Sequence, residues 1–194
     1  MFEDSNWDFG GAYRKITNGN YCTKDNPSWD MLVYDSSKWH TVNNDVHGCL
    51  YDNDRPFVVQ KFKNNNDGTE VTVVGAHFPH PGQGNWYSTL AGKIGQVSGG
   101  PGNNIIFMGD INDNIPSQTL FDRLGLGALQ VASDLYATCC YHDHFKAGAF
   151  DRIGANFGSN AYTTKFEALL FDPPNPTRGN SGEYHKPVQL TFNY

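Results

Sequence analysis

Three apolar stretches of this chain run directly into residues that can do chemistry. EVTVVGA leads into His77-Phe78-Pro79-His80, IIFM leads into Gly109-Asp110-Ile111-Asn112, and Phe150 leads into Asp151-Arg152-Ile153. A fourth candidate, His185, stands just before the apolar run PVQLTF. Imidazoles and carboxylates are the side chains that move protons in hydrolytic reactions, and carboxylate and amide oxygens suit hard cations such as Mg²⁺. A polar group at the end of a buried run is costly unless something pairs with it. Each motif alone has an ordinary explanation: a hydrogen-bonded histidine, an Asp-x-Asn turn, an Asp151-Arg152 ion pair. Their succession along one chain is what points to a hydrolytic site.

The elements that must position these residues are legible in outline. Aromatics make up 14% of the chain, and Gly, Asn and Asp are abundant, which suits many short strands joined by elaborate loops. Strands are predicted at 30–34, 56–62, 70–76, 104–108, 150–154 and 187–192. Between the second and third, KNNNDGTE reads as a hairpin loop, its Asp-Gly supplying the positive φ of a tight turn. Helices are predicted over 86–97, with Leu90, Ile94 and Val97 on one face, and over 117–124, starting at an N-cap serine and stopping at Gly125. Strands outnumber helices, and one helix lies between the third and fourth strands. The pattern is that of an α+β or layered α/β fold.

The 194 residues suit a single domain spanning 1–194. The net charge of −6, with Lys61-Phe62-Lys63 the densest basic spot, argues against a tight, sequence-reading nucleic-acid binder. It leaves room for a nuclease whose metal ion supplies the positive charge. No apolar run approaches the roughly 18 residues of a membrane span. MFEDSNWDFGG lacks the basic flank and apolar centre of a signal peptide, so a secreted mature chain or a shortened form is compatible with it, and localisation is left open. None of Cys22, Cys49, Cys139 and Cys140 forms a CxxC pair, which speaks against structural zinc. Cys22 and Cys49 are placed to bridge a hairpin; buried free thiols are the equal alternative.

Taken in order, GAHFPH, GDIND, FDRI and YHKPVQLTF resemble the endonuclease/exonuclease/phosphatase superfamily, to which deoxyribonuclease I belongs. DRPFVVQKF, residues 54–62, resembles the family strand that begins with Arg-Pro, which places Arg55 near the site. The resemblance runs from about residue 28 to the end. It implies a deoxyribonuclease I-like sandwich of two packed mixed β-sheets flanked by helices, here shortened at the N-terminus. The family's opening strands, the second ending in the metal-binding Gln-Glu, have no counterpart before residue 28, and Tyr184 stands where the family has Asp.

The implied activity is divalent-metal-dependent hydrolysis of a phosphodiester or phosphomonoester, with His77, Asp110, Asn112, Asp151 and His185 as catalytic residues. By the same resemblance, Asp151 pairs with His185 and raises its basicity, while His77 faces the phosphate from the other side. Metal candidates are Asp110, Asn112, Asp151, Glu3 and Glu183, holding Mg²⁺. The alternative is an imidazole-rich site for Zn²⁺ or Co²⁺ built from His77, His80 and His185 with His142 or His144. Such a site suits a metal-hydroxide enzyme, for example one with carbonic anhydrase-like hydration. A catalytically inactive binding module is the third reading. Expected partners are a phosphate-ester substrate, including nucleic acid without sequence specificity, and a second copy of the chain across an exposed sheet edge.

Overall fold

Strands buried on both faces read as nearly continuous apolar runs rather than alternating ones. The stretch from Pro56 to Gln60 is buried without interruption, and so is most of Val71 to Phe78. These strands therefore form the middle layer of three. The computed structural model describes residues 11–17, 22, 30–51, 53–82, 86–100, 103–133, 138, 148–165 and 188–194.

The strands are β1 (Tyr13–Thr17), β2 (Met31–Asp35), β3 (Trp39–Leu50), β4 (Arg55–Asn64), β5 (Glu70–His77), β6 (Ile105–Asp110), β7 (Val131–Ala132), β8 (Asp151–Ala155), β9 (Ser159–Lys165) and β10 (Val188–Asn193). The helices are α1 (Tyr87–Ser98), between β5 and β6, and α2 (Ser117–Leu124), after β6. A six-stranded mixed sheet has the order β3-β4-β5-β6-β8-β7. β4 and β5 form the expected antiparallel hairpin, with Gly68 at φ 75° in its turn. β5 and β6 are parallel, as a helical crossover requires, and β8 returns antiparallel to β6.

The helices cover one face of this sheet. Leu90 and Ile94 of α1 and Leu120, Phe121 and Leu124 of α2 pack on Phe57, Val59, Val74, Ala76, Ile105 and Phe107. On the opposite face Leu32 of β2 packs on Val58 and Phe62, with Val73 and Met108 beside them. A side chain at Gly75 would reach within 3.1 Å of Leu32, so this glycine lets the β1-β2 ribbon lie close to the sheet. Among the described residues the second β layer consists of two antiparallel ribbons, β1-β2 and β9-β10. The fold is the layered, deoxyribonuclease I-like sandwich expected from the sequence.

The six predicted strands and two predicted helices form within a few residues of their expected limits. α2 takes Pro116 as its N-cap, so Ser117 is the first helical residue rather than the cap. Four further strands, β1, β3, β7 and β9, were not read from the sequence. β3 (WHTVNNDVHGCL) is an edge strand with mostly half-buried and exposed residues, so it lacks the apolar run that marks the central strands. It also carries a bulge: Val42 pairs with Lys61 and Val46 with Val59, leaving three residues opposite Gln60. The buried Gln60 amide fills the gap, donating to the carbonyls of Val42 at 3.1 Å and Lys61 at 2.7 Å.

A disulfide joins Cys22 to Cys49 near the end of β3, resolving the cysteine alternatives for this pair. It closes a sequence separation of 27 residues, a loop length for which chain entropy gives about 3.5 kcal/mol of stabilisation. Cys139 and Cys140 lie outside the described residues. No helix among the described residues is long and apolar enough to cross a membrane.

Candidate active site

Strand register brings the sequence candidates together. His77, the last residue of β5, is paired with Asp110, the last of β6, and Asp110 is paired with Asp151, the first of β8. Paired residues on neighbouring strands project to the same face. The imidazole and two carboxylates therefore form a row across three adjacent strands at one end of the sheet, on the side covered by β1-β2. His77 Nε2 lies 3.4 Å from Asp110 Oδ2. His77 is buried, and the Asp110 side chain is only 13% exposed, so their interaction is little diluted by solvent.

Backbone bonds lock the ends of these strands. The Phe78 amide donates to the Asp110 carbonyl at 2.8 Å, and the Ile111 amide donates to the Phe150 carbonyl at 2.9 Å. Gly109 precedes Asp110 and lies opposite Ala76; a Cβ there would sit 1.9 Å from the Ala76 carbonyl oxygen. Only glycine permits that approach, so the glycine of the GDIND motif is a packing requirement of the site.

Asn112 closes the corner. Its backbone has φ 50°, a left-handed conformation that asparagine tolerates better than most residues. Its amide N–H donates to Asp110 Oδ1 at 2.8 Å, and its side-chain Nδ2 donates to the Phe78 carbonyl at 2.7 Å. Asn112 thus orients the Asp110 carboxylate and ties the loop after β6 to the loop after β5. The Asp151 amide donates to Thr138 Oγ1 at 3.0 Å, anchoring the first residue of β8.

Arg152, read from sequence as a candidate ion-pair partner of Asp151, turns to the helix face instead, as neighbouring residues of a strand must. It is 2% exposed. Among the described residues its guanidinium makes two long contacts, to the carbonyls of Asp151 at 3.4 Å and Ile115 at 3.5 Å, and Nε finds no hydrogen-bond partner. Burial pulls its pKa down, and the charges of Asp151 and Asp113 oppose that shift. Arg55 pairs with the buried carboxylate of Asp54 at 3.4 Å.

Asp30 was missed. It directly precedes β2, and its carboxylate faces the main-chain N–H of His77 and the charge of Asp110. Among the described residues its Oδ2 is buried without a hydrogen-bond partner. Burial chiefly, with Asp110 adding to it, pushes its pKa up to about 7. In the sequence it stands only as the first residue of a predicted strand, with no polar side chain directly beside it to suggest chemistry. The signal that would have found it is an acid directly before the apolar MLVY.

Beside the row, on the helix side of the same two loops, lies a cleft of about 220 Å³ lined by Pro79, Trp86, Tyr87, Asp113 and Arg123 among others. Trp86 stacks on Tyr87 at 3.8 Å and packs against Phe78 at 4.1 Å, so its role is core packing. The Arg123 guanidinium lies 5.3 Å from the Tyr87 ring centre. Burial raises the Tyr87 pKa, and Arg123 counteracts it.

His185, Glu3, Glu183, His142 and His144 lie outside the described residues. Among the described residues no group of three or more His, Cys, Asp or Glu side chains is arranged to hold a metal ion. Asp110 and Asn112 offer hard oxygen atoms, but the described residues alone do not make a metal site.

No family model and no curated protein sequence matches the chain. Solved structures do. The human nocturnin catalytic domain with bound sulfate anion is 12% identical, with a TM-score of 0.61 over 94% of this chain and 73% of that one. A mannosyl-6-phosphatase of Bacteroides thetaiotaomicron is 17% identical, with a TM-score of 0.59 over 93% of this chain and 78% of that one. An endonuclease/exonuclease/phosphatase family protein of the same species is 18% identical, with a TM-score of 0.58 over 78% of this chain and 64% of that one.

Proposed function

We propose that this chain, which has the fold of the endonuclease/exonuclease/phosphatase proteins, is a phosphoesterase. The observation that carries the reading is the in-register row of His77, Asp110 and Asp151, completed by Asn112 at the corner. Hydrolysis of a phosphate ester requires a positioned water, stabilisation of charge on the phosphoryl oxygens and a proton for the leaving oxygen. His77 supplies a donor whose orientation is set by Asp110. Asn112 and Asp110 orient the phosphate or the water, and Asp151 accepts a proton through the expected partner His185. Phosphate chemistry also accords with two structural neighbours, one with bound sulfate and one a mannosyl-6-phosphatase.

Dependence on a divalent cation, Mg²⁺ first and Zn²⁺ or Co²⁺ second, is a separate part of the proposal. So is the substrate, a small phosphate ester or nucleic acid read without sequence specificity. Hydrolysis of p-nitrophenyl phosphate and bis-p-nitrophenyl phosphate, each with and without EDTA, tests both the activity and its cation dependence. His77→Ala and Asp151→Asn are expected to lower kcat by about 100-fold or more, and His185→Ala to do the same. Hydrolysis that survives all three substitutions would falsify the assignment.

A further inference from the structure

At the end of the sheet away from the catalytic row the chain forms another cleft, open to solvent. Thr69 precedes β5, Asn104 precedes β6, and Phe157 and Gly158 connect β8 to β9; all four line it. The length of β5, roughly 25 Å at the usual strand rise, separates them from His77. The cleft measures about 590 Å³, within the range of about 300–1,000 Å³ that small-molecule sites occupy.

Local structure aims the side chains into it. The β9-β10 ladder slips between Thr191, paired with Tyr162, and Asn193, paired with Ser159, and Asn160 takes φ 50° at that bulge. Asn193 and Ser159, being paired, project to one face, and both line the cleft. A Cβ at Gly158 would come within 2.5 Å of the Phe192 ring, so glycine lets this turn close on β10. Tyr194 is 63% exposed, yet its ring is held. The buried Asn64 amide donates to its hydroxyl at 3.1 Å, Trp39 lies 5.9 Å from it, and Phe157 meets it edge-on at 6.5 Å. An aromatic ring fixed before a ligand arrives loses little freedom on binding.

The chemistry of the lining selects the ligand. Among the described residues no Lys or Arg lines the cleft, and the Asp67 carboxylate there would repel an anion. The Thr69 N–H and hydroxyl hold the Asp67 pKa below its ordinary value, so the group is ionised at neutral pH. Phe157 and Tyr194 touch edge to face, leaving no gap between the rings for an ammonium group. What remains is an aromatic face ringed by amide, hydroxyl and carboxylate groups. A sugar ring matches that set. Its C–H face is drawn to the negative face of an aromatic ring, and its hydroxyls both donate and accept.

We propose that this cleft binds a neutral carbohydrate, an oligosaccharide with one ring on Tyr194 and its hydroxyls bonded to Asn104, Ser159, Asn193 and Asp67. The site is separate from the catalytic row, and the proposal stands whether or not the chain hydrolyses phosphate esters.

The test is affinity electrophoresis of the full chain in gels containing galactomannan, xyloglucan or dextran. Calorimetry with an oligosaccharide of whichever polymer retards it then gives the affinity. Retardation by at least one of these neutral polymers is expected. Tyr194→Ala should weaken binding about tenfold. Ser159→Arg fills the cleft from an exposed position, away from the aromatic packing, and should abolish binding. That variant keeps the test decisive if Tyr194→Ala lowers the melting temperature. Unchanged migration in every gel, or retardation that Ser159→Arg retains in full, overturns the proposal. So does retardation by polygalacturonate alone, or saturable binding of tetramethylammonium, which would make the cleft an anion or a cation site.

Discussion

At the scale of single residues, the state of Asp30 governs how the site responds to pH. The ordinary value of its carboxyl is 3.8 and the folded value is about 7, raised mainly by burial and further by Asp110. Between those values the native chain holds a proton that the unfolded chain has released. The sign is therefore fixed: Asp30's effect on stability is most favourable below about pH 4, declines as the pH rises to about 7, and is flat beyond. Asp30→Asn should flatten that decline and raise the urea midpoint at pH 8, where the wild-type carboxylate is charged and buried; an unchanged pH profile would contradict this. Asn112→Ala removes both bonds at the corner and puts a less tolerant residue at φ 50°. A loss of about 2 kcal/mol in urea unfolding is expected, with a fall in kcat if Asp110 must be oriented for reaction. His77, Asp110, Asn112 and Asp151 were legible because each follows or opens an apolar run. Asp30 also opens an apolar run, MLVY, but what brings it to the row is a tertiary contact of the chain entering β2, which no local spacing encodes.

Single elements gather those residues because strands ending at the same level deliver their last side chains to one row. The parallel pair β5-β6 sets the distance between His77 and Asp110, and Gly109 is what lets the two strands close at that point. Gly109→Ala should force the strands apart there, with a loss of about 3 kcal/mol or more in urea. Its fall in activity should be larger than that of an equally destabilising core substitution elsewhere. If stability and activity were both untouched, the close approach would not matter. The central strands and both helices were readable because they are buried on two faces or along a clear helical stripe. β3 and β9 were not, since edge and ribbon strands keep polar residues and need no apolar run. Their pairing partners are chosen by the sheet rather than by their own sequence.

For the whole molecule, three layers meet at one end, where the row, the disulfide and the 220 Å³ cleft all lie. The side edges of the main sheet are β3 and the two-residue β7. β7 is too short to offer much. β3 has twelve residues, and among those described no strand pairs with its outer side. A straight run of that length would present a ladder of open N–H and C=O groups on which chain after chain could add, the geometry from which fibrils grow. The bulge between Val42 and Val46 breaks that ladder near its middle, with Asn43 turned to φ 66°. Deleting Asn43 and Asn44 would leave Asp45 opposite Gln60 and restore one-to-one register. Light scattering and thioflavin fluorescence should then report concentration-dependent growth beyond any association of the intact chain; a variant as well behaved as its parent would count against the idea. The kink that occupies Gln60 inside the fold thus acts on the outside as a guard against templating, limiting how the protein meets copies of itself long before any substrate is involved.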